Sequence, residues 1–273
     1  MTELRVCFLG YGSMAESLSN AFTRKEILLA RNITGTVRTN DRIPILSGRM
    51  PFRFITSNVE AVLTSDIIII SVRPQQAKEL LKEIGAHVDH EKTVVSIMAG
   101  IPLASIRKYL PGDPTLVHVH PTSLAFSRSP LGVSFLVADS NQDEKKVEII
   151  GQLFKAVGEV RTLSEDILSK YIVLSGCAPA YLSLFVYYLS QIGAEIGIPL
   201  AESSSLEALM VSGIREVIVN EEASPQEIIQ RIATPEGVTM EGLQVLESEA
   251  TRMIVRRAAE ASLRKLDFLS TVL

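Results

Sequence analysis

The feature that most constrains this chain is a glycine turn between an apolar strand and an amphipathic helix near its start. Residues 6–9 (VCFL) form a short apolar run of the kind that lies buried in a parallel sheet. Gly10, Gly12 and Ala15 follow in the pattern G-x-G-x-x-A. The first glycine permits a tight turn, the second lets the backbone approach a pyrophosphate, and the alanine lets the helix pack close to the strand.

This pattern predicts a dinucleotide site in which the N-terminus of the helix faces the phosphates. Met14, Leu18 and Phe22 recur at helical spacing, so the helix has one buried face. The alternative is a glycine turn with a purely structural role. The predicted cofactor-binding residues of the turn are Gly10, Tyr11, Gly12, Ser13 and Met14.

The end of the next predicted strand, residues 32–39, bears on which nicotinamide dinucleotide is bound. In an NAD site an Asp or Glu at this point accepts a hydrogen bond from the ribose 2′-hydroxyl. Here the strand ends with Arg38 and Thr39, and Arg42 follows closely. An arginine suits a 2′-phosphate, so the sequence favours NADP over NAD. Two alternatives stay open: Arg38 is a solvated loop residue, or Asp41 binds the ribose.

Strands and helices alternate through the first half of the chain. Further strands are predicted at residues 54–58, 67–72, 93–98, 115–119 and 132–137, the last before a closing helix at 144–157. Such units with right-handed crossovers build a Rossmann-type parallel sheet, and we predict this α/β domain over residues 1–162. Ligands bind beyond the C-terminal ends of parallel strands, where the further predicted cofactor-binding residues are Val72, Arg73, Pro74 and Ala99.

The second half contains helical patterns and no convincing strand from Ser164 onward, which predicts an all-helical domain over residues 163–273. Gly176 and Pro179 are expected to interrupt a helix. Residues 181–198 then form an apolar run without Lys or Arg. Polar residues within that run favour a helix buried in a core or a subunit interface over a membrane span. The wide apolar stripes of this half predict a homodimer.

The overall composition argues against several partner classes. The 273 residues carry a net charge of −4, without a basic cluster, which disfavours nucleic acid as a partner. Two cysteines without metal-ligand spacing are typical of a reducing compartment and predict no metal site. The chain does not open with a basic segment and a cleavable apolar region, so we expect a cytoplasmic protein that binds a small molecule and no membrane.

Residues 234–239 (TPEGVT) break the helical pattern just before a helix that begins near Met240. The amides of Gly237, Val238 and Thr239, together with the Thr239 hydroxyl, are thereby expected at a helix N-terminus. Unpaired amides and the helix dipole favour an anion there. The sequence therefore predicts a carboxylate-binding site.

Five segments together resemble the pyrroline-5-carboxylate reductase family, which catalyses the last step of proline synthesis. In the family's order they are GYGSMAE (10–16), SVRPQ (71–75), SIMAGI (96–101), SGCAPAY (175–181) and TPEGVTMEGLQVLE (234–247). The resemblance implies an NADP-binding domain and a helical domain that intertwines in a homodimer, with the active site between the domains. Larger rings of dimers also occur in the family. The substrate-binding residues expected from it are Ser175, Gly237, Val238 and Thr239.

The chain also departs from the family's pattern. Where the family has SGSGPAY, Cys177 and Ala178 stand in the middle, and where it has SPGGTT, Glu236 and Val238 replace a glycine and a hydroxyl residue. The family's MPNTPA is HPTSLA here, at residues 120–125. A carboxylate at Glu236 repels an anionic substrate unless it points away or pairs with a cation. The alternative function is therefore a divergent member that acts on another imine or has a regulatory, non-catalytic role.

Reduction of a cyclic imine needs a hydride donor, a clamp for the carboxylate and a proton for the nitrogen. NADPH supplies the hydride, and residues 237–239 are expected to form the clamp. The proton comes with the substrate or from Thr239 through water, which makes Thr239 the predicted catalytic residue. His118 and His120 are interpreted as packed residues of a strand end rather than as acids.

Two other chemistries are disfavoured. Cys177 is interpreted as a small packing residue, because no histidine or carboxylate lies near it in the sequence to activate a thiolate. The β-hydroxyacid dehydrogenases share the order of domains but need a lysine within a glycine-rich helix motif. Lys170 precedes Gly176 instead of following such glycines.

Overall fold

The computed structural model describes residues 3–122, 132–139, 142–247 and 249–273. The chain forms two compact units. The first contains Met1–Cys177 together with Ser262–Leu273, and the second contains Ala178–Ala261.

An eight-stranded sheet forms the centre of the first unit, with the strand order β3-β2-β1-β4-β5-β6-β7-β8. The strands are β1 Val6–Leu9, β2 Ile33–Thr36, β3 Arg53–Ile55, β4 Ile67–Ile70, β5 Thr93–Ser96, β6 Thr115–Pro121, β7 Gly132–Ala138 and β8 Gly158–Thr162. Strands β1 to β6 run parallel to one another. The strand order reverses between β1 and β4, which creates a crevice beyond their C-terminal ends.

Helices cover both faces of this sheet. They are α1 Ser13–Arg24, α2 Arg42–Ser47, α3 Asn58–Leu63, α4 Ala77–Ile84, α5 Leu103–Arg107, α6 Glu144–Phe154 and α7 Glu165–Tyr171. Every residue of β1 and β4 is at most 3% exposed, as apolar runs without alternation require. Phe22 of α1 contacts Phe8 of β1 and Phe154 of α6, with ring centroids 6.2 Å and 5.7 Å apart. These aromatic contacts fix α1 against the sheet.

The α/β class is confirmed, but the sheet is not parallel throughout as predicted. Strand β7 pairs antiparallel with β6, and β8 pairs parallel with β7. The prediction that residues 132–137 form the last strand was also wrong. Strand β8 (GEVRT) lacks the apolar run of an inner strand because it lies at the sheet edge, where three of its five residues are exposed.

Five helices follow β8 and α7, so the prediction of an all-helical second half is confirmed for the described residues. They are α8 Ala178–Glu195, α9 Leu200–Asn220, α10 Pro225–Ile232, α11 Val238–Leu246 and α12 Glu249–Ser270. The predicted interruption at Gly176 and Pro179 was wrong. Residues Ile172–Cys177 form a π-helical segment that leads directly into α8. A π turn is one of the ways in which a helix absorbs a local irregularity without ending.

Helices α8 and α9 pack closely at small residues. Ser203 of α9 donates a hydrogen bond from its hydroxyl to the Ser190 carbonyl, at 3.1 Å, and a Cβ at Gly193 would collide with this serine. The contact uses only a narrow stripe of α8, of which Ser190 and Gly193 are the buried residues.

The remaining surface of α8 is apolar and exposed. Leu182, Phe185 and Tyr188 are 67%, 50% and 56% exposed. The stretch Glu165–Glu195 has the length and composition of a membrane span, with 11% of its most apolar window buried, although one such helix is weak evidence for a membrane. Burial of this run in the core of a single chain, one of the two predicted environments, was wrong. The other environment, a subunit interface, agrees with the exposed face.

The packing of Gly35 in β2 leads to a stability prediction. A Cβ at Gly35 would lie 2.5 Å from Tyr11 and 2.9 Å from Phe54, whose rings are themselves in contact. Gly35→Ala is expected to lower the free energy of unfolding by about 1–3 kcal/mol because the ring cluster must shift. Thermal and urea unfolding would measure this effect. As a control, Gly151→Ala in α6 makes only an ordinary contact with Leu136, so a similar loss there would contradict the explanation.

Candidate functional site

A cleft of about 790 Å³ lies in the first unit, beyond the C-terminal ends of β1, β2 and β4. The structure brings six of the predicted cofactor-binding residues to its walls: Gly10, Tyr11, Gly12, Arg38, Val72 and Arg73. The other five, which do not line it, are Ser13, Met14, Thr39, Pro74 and Ala99. The cleft coincides with the point where the strand order reverses, which is where open α/β sheets bind ligands.

The turn after β1 is held by side chains of the two neighbouring strands. Gly10 has φ of +87°, and a Cβ there would lie 2.6 Å from the Val72 side chain. Its N–H donates to the Thr36 hydroxyl at 3.0 Å. The Ser71 hydroxyl lies 3.0 and 2.9 Å from the Leu9 and Gly10 carbonyls, and its single proton is donated to this pair of acceptors. Only glycine combines this φ with so close an approach.

Gly12 differs from Gly10, because nothing in the protein requires it to be a glycine. Its φ of −114° is open to any residue, and a Cβ there would meet no atom within 4 Å. The absence of a side chain instead leaves free space in the cleft directly in front of α1. This is the cradle that a pyrophosphate needs for close contact with the backbone.

The N-terminus of α1, directly after Gly12, has unpaired amides. No side chain caps the helix at Gly12, and the first intrahelical hydrogen bond runs from the Glu16 N–H to the Gly12 carbonyl, at 2.9 Å. The N–H groups of Ser13, Met14 and Ala15 therefore have no partner within the helix. Together with the helix dipole they favour an anion, and the residues present fit a dinucleotide pyrophosphate.

Tyr11 contributes to the cleft differently from the prediction. Its ring is 2% exposed and contacts Phe54, with centroids 4.8 Å apart, while its hydroxyl shares a hydrogen bond of 2.6 Å with Ser19. Its N–H donates to the Thr36 carbonyl at 2.7 Å. Because ring, hydroxyl and N–H all have partners within the protein, we assign Tyr11 a positioning role. It anchors the turn to β2.

The loop after β2 supplies positive charge. Arg38 and Arg42 both line the cleft, and neither forms an ion pair with a carboxylate among the described residues. The segment from Thr36 to Thr39 contains no acid that would accept from a ribose 2′-hydroxyl. Glu79 and Glu83 also line the cleft, from α4. The β2 side of the cleft thus suits a 2′-phosphate.

Several residues that line the cleft were not predicted from the sequence. The hydroxyls of Thr36 and Ser71, described above, hold the turn, while Thr56, Asn58 and Gln75 extend the polar wall. Ser71 belongs to the SVRPQ segment, so its place after the apolar run of β4 was a usable signal. For Thr36 the signal was weaker, because a threonine within a buried strand is normally a packing residue.

In the second unit, the turn before α11 offers fewer amides than predicted. The Gly237 N–H donates to the Thr234 carbonyl at 3.0 Å, and a Cβ at Gly237 would lie 2.5 Å from the Thr234 hydroxyl. The predicted use of the Gly237 amide as a ligand is therefore not supported, because the tight turn consumes it. The first α11 hydrogen bonds come from Met240 and beyond, which leaves the N–H groups of Val238 and Thr239 unpaired within the helix.

The two departures in this turn are both at the surface. Glu236 has φ of +56°, a left-handed conformation that favours glycine, and its side chain is exposed. The Val238 side chain is 93% exposed. The charged side chain of Glu236 and the apolar side chain of Val238 thus lie next to the unpaired N–H groups of Val238 and Thr239. Val238 stands where the family has a hydroxyl residue.

Ser175 and the two histidines belong to the first unit. The Ser175 hydroxyl donates to the Tyr171 carbonyl at 2.7 Å within the π-helical segment, which leaves its oxygen free to accept. His118 is buried and His120 is half-buried, and burial lowers their pKa values to about 3 and about 4. Both rings are neutral at neutral pH, in agreement with packed residues rather than acids. A Cβ at Gly176 would make a tight contact of 3.0 Å with His120 Nε2.

Residues 123–125 of the HPTSLA segment lie outside the described residues. Thr122, which stands where the family has the asparagine of that segment, is buried, and its hydroxyl accepts a hydrogen bond from the Val133 N–H at 3.3 Å. It joins the ends of β6 and β7.

Comparison with known proteins gives two family matches. Residues 165–269 match the model described as pyrroline-5-carboxylate reductase dimerisation, and residues 5–100 match the model described as NADP oxidoreductase, coenzyme F420-dependent. The pyrroline-5-carboxylate reductase of Pseudomonas aeruginosa is 27% identical over 96% of this chain and 95% of its own length. Human pyrroline-5-carboxylate reductase 2 is 28% identical over 95% of this chain and 82% of its own.

Solved structures show the same fold. The Plasmodium falciparum pyrroline carboxylate reductase with NADP bound superposes with a TM-score of 0.90 at 22% identity and covers 99% of this chain and 100% of its own. The Streptococcus pyogenes 1-pyrroline-5-carboxylate reductase gives 0.87 at 20% identity, with coverage of 97% and 98%. The likeness therefore extends over both units of the chain, each with its own fold.

The free space at Gly12 leads to a binding prediction. Gly12→Val places a side chain in the cradle without a clash inside the protein, so the melting temperature is expected to stay unchanged. NADPH affinity is expected to fall about tenfold or more, because a displaced phosphate loses charge-assisted hydrogen bonds worth ~1.5–3 kcal/mol. Calorimetric titration would measure it. Unchanged affinity in a folded Gly12→Val protein would contradict the placement of the pyrophosphate.

The unpaired arginines lead to a second binding prediction. Arg38→Ala is expected to raise the Kd for NADPH about tenfold or more and that for NADH about twofold at most, because only NADPH offers a 2′-phosphate for a charge-assisted hydrogen bond. Arg31→Ala is the matched control, since Arg31 is also exposed but does not line the cleft. Equal losses for both dinucleotides would contradict a 2′-phosphate contact.

Proposed function

Because the chain belongs to the pyrroline-5-carboxylate reductase family, we propose that it reduces 1-pyrroline-5-carboxylate to L-proline with NADPH as the hydride donor. The single observation that carries the proposal is the cleft beyond β1, β2 and β4. It combines an open cradle at Gly12 with unpaired arginines at the end of β2. Residues 1–162 then bind the cofactor, and residues 163–273 serve dimerisation and substrate binding.

The protein's own residues act on the cofactor by binding and orienting it. When bound, NADPH supplies the hydride that reduces the C=N carbon. The amides of Ser13 and Met14 hold the pyrophosphate, and Arg38 with Arg42 holds the 2′-phosphate. Gly10, whose backbone is fixed by Thr36, keeps the turn from entering the phosphate space. Because the turn is already fixed in the protein, few backbone or side-chain groups have to become ordered when the cofactor binds.

The carboxylate of the substrate is proposed to bind to the unpaired N–H groups of Val238 and Thr239, where the helix dipole of α11 adds to the attraction. The Thr239 hydroxyl is proposed to pass a proton through water to the imine nitrogen, unless the imine arrives already protonated. One hydride and one proton then balance the reduction of the C=N bond. His118 and His120, whose lowered pKa values leave both rings neutral, have no place in this step.

The exposed apolar faces of α8 and α9 support a homodimer as the working form, in line with the dimerisation family matched by residues 165–269. Leu209 and Met210 of α9, at 60% and 56% exposed, extend the surface of α8. We further propose that such dimers can join into a larger ring. We place the protein in the cytoplasm, with a small-molecule substrate and neither nucleic acid nor membrane as partner.

A second function is favoured by one observation, the exposed Glu236 at φ of +56° beside the two clamp amides. Its carboxylate disfavours a second negative charge nearby. A divergent member would bind NADP(H) in the same cleft and act on an imine without an adjacent carboxylate, or would have a regulatory role without turnover.

Turnover measurements separate the two functions. The purified protein is expected to oxidise NADPH with pyrroline-5-carboxylate and to prefer NADPH over NADH. Thr239→Ala is expected to lower kcat about 10²-fold, as for loss of a proton-transfer group, while the Kd for NADPH stays unchanged. Thr239→Ser, which keeps the hydroxyl, is the matched control. Tight NADPH binding by the wild-type protein without any turnover would overturn the proline reaction and favour the divergent function.

A further inference from the structure

His120 stands at the same edge of the sheet as the dinucleotide cleft. The parallel register pairs Ile70 of β4 with Ser96 of β5, and Ser96 with His118 of β6. Two residues after Ile70 the chain reaches Val72, which lines the cleft, and two residues after His118 it reaches His120. Val72 and His120 are thus at one level of the sheet, separated by two strand spacings of ~4.8 Å each.

This position is on the side of the cleft that is left for the nicotinamide. A dinucleotide binds across the point where the strand order reverses, with one half on either side. Arg38 and Arg42, which follow β2 and line the cleft, are proposed above to hold the 2′-phosphate of the adenosine half. The nicotinamide half then lies beyond β4, β5 and β6. This placement rests on the proposed function.

The ring nitrogens of His120 have no partner among the described residues. Nδ1 is buried without a hydrogen bond, whereas Nε2 is not enclosed in this way, and the side chain is half-buried. Burial alone lowers the pKa of the ring to about 4, with no contribution from a hydrogen bond. A Cβ at Gly176 would lie 3.0 Å from Nε2, so its absence leaves this nitrogen uncovered on that side. Nε2 is therefore the atom that a ligand can reach.

The surroundings of Nδ1 decide which nitrogen of His120 carries the proton. A neutral imidazole has one N–H donor and one unprotonated nitrogen. Among buried backbone groups, an N–H without a partner is rarer than a carbonyl without one, and the same preference applies to the ring. The buried Nδ1 is then the unprotonated nitrogen, and Nε2 carries the N–H. His120 thus presents a hydrogen-bond donor.

We propose that His120 binds the nicotinamide through its carboxamide, with the Nε2 N–H donating to the carbonyl oxygen. The contact orients the ring for hydride transfer, and no proton changes place in it. The family's MPNTPA segment has methionine where this chain has His120, and a methionine side chain has no N–H to donate. His120 is thereby a cofactor-positioning residue that distinguishes this chain from the family's pattern.

The test measures dissociation constants by calorimetric titration of the full-length protein, without substrate. The ligands are NADP⁺ and 2′-phospho-ADP-ribose, which has the same phosphates but no nicotinamide. His120→Met removes the donor with a side chain of similar size. His120→Gln places an amide N–H at about the reach of Nε2, whereas the amide of His120→Asn reaches only as far as Nδ1 and serves as the matched control.

His120→Met is expected to raise the Kd for NADP⁺ about three- to tenfold, as for loss of one hydrogen bond between neutral groups, and to leave the Kd for 2′-phospho-ADP-ribose unchanged. His120→Gln is expected to bind NADP⁺ nearly as tightly as the wild type, and His120→Asn as weakly as His120→Met. The 3-acetylpyridine analogue of NADP⁺ keeps the carbonyl oxygen but lacks the NH₂ group. The same loss is expected with this analogue, because the carbonyl accepts the hydrogen bond.

Four outcomes would overturn the contact while leaving the proposed function in place. They are an unchanged Kd for NADP⁺ in His120→Met, equal losses for NADP⁺ and 2′-phospho-ADP-ribose, a loss that disappears with the acetylpyridine analogue, and no tighter binding by His120→Gln than by His120→Asn. A wild-type protein that binds neither ligand would overturn the cofactor placement of the proposed function and the His120 contact with it.

Discussion

The structure of the first unit depends on how closely two strands approach each other at their C-terminal ends. The turn after β1 passes so near to Val72, which follows β4, that only a residue without a Cβ and with positive φ fits at position 10. The hydroxyls of Thr36 and Ser71 then fix the direction of the turn from either side. Because the turn is fixed, α1 starts at a defined point directly after Gly12, which lines the same cleft as the arginines that follow β2.

Much of this unit was predictable, since its signals are local. The apolar runs of β1 and β4, the glycine turn and the stripe of α4 each specify an element within a few residues. The edge strand β8 and the short helix α2 were not predictable in this way, because most of their residues are exposed and their conformations depend on neighbouring elements. The direction of β7 is set by its pairing with β6, which its own buried residues do not specify. The π-helical segment is a similar case. Gly176 and Pro179 signal an irregularity, but not whether a helix ends or widens there.

The site residues likewise include some that a local pattern predicts and some whose contacts depend on distant parts of the chain. A glycine pattern shows where a backbone must come close to a ligand, and Gly12 in its open cradle agrees with that interpretation. The pattern does not show which amides are already used inside the protein. The N–H groups of Tyr11 and Gly237 both donate to carbonyls of the protein itself, and only the three-dimensional arrangement of Thr36 and Thr234 reveals this.

The exposed apolar face of α8 makes the stability of this protein depend on its concentration in the cell. If a second copy covers that face, part of the stabilising burial exists only in the dimer, so stability follows mass action and rises with total concentration. At low expression, newly made chains would spend longer with Leu182, Phe185 and Tyr188 in contact with water. Such chains are prone to aggregation and proteolysis, so the helical unit would set a minimum abundance below which the protein does not persist.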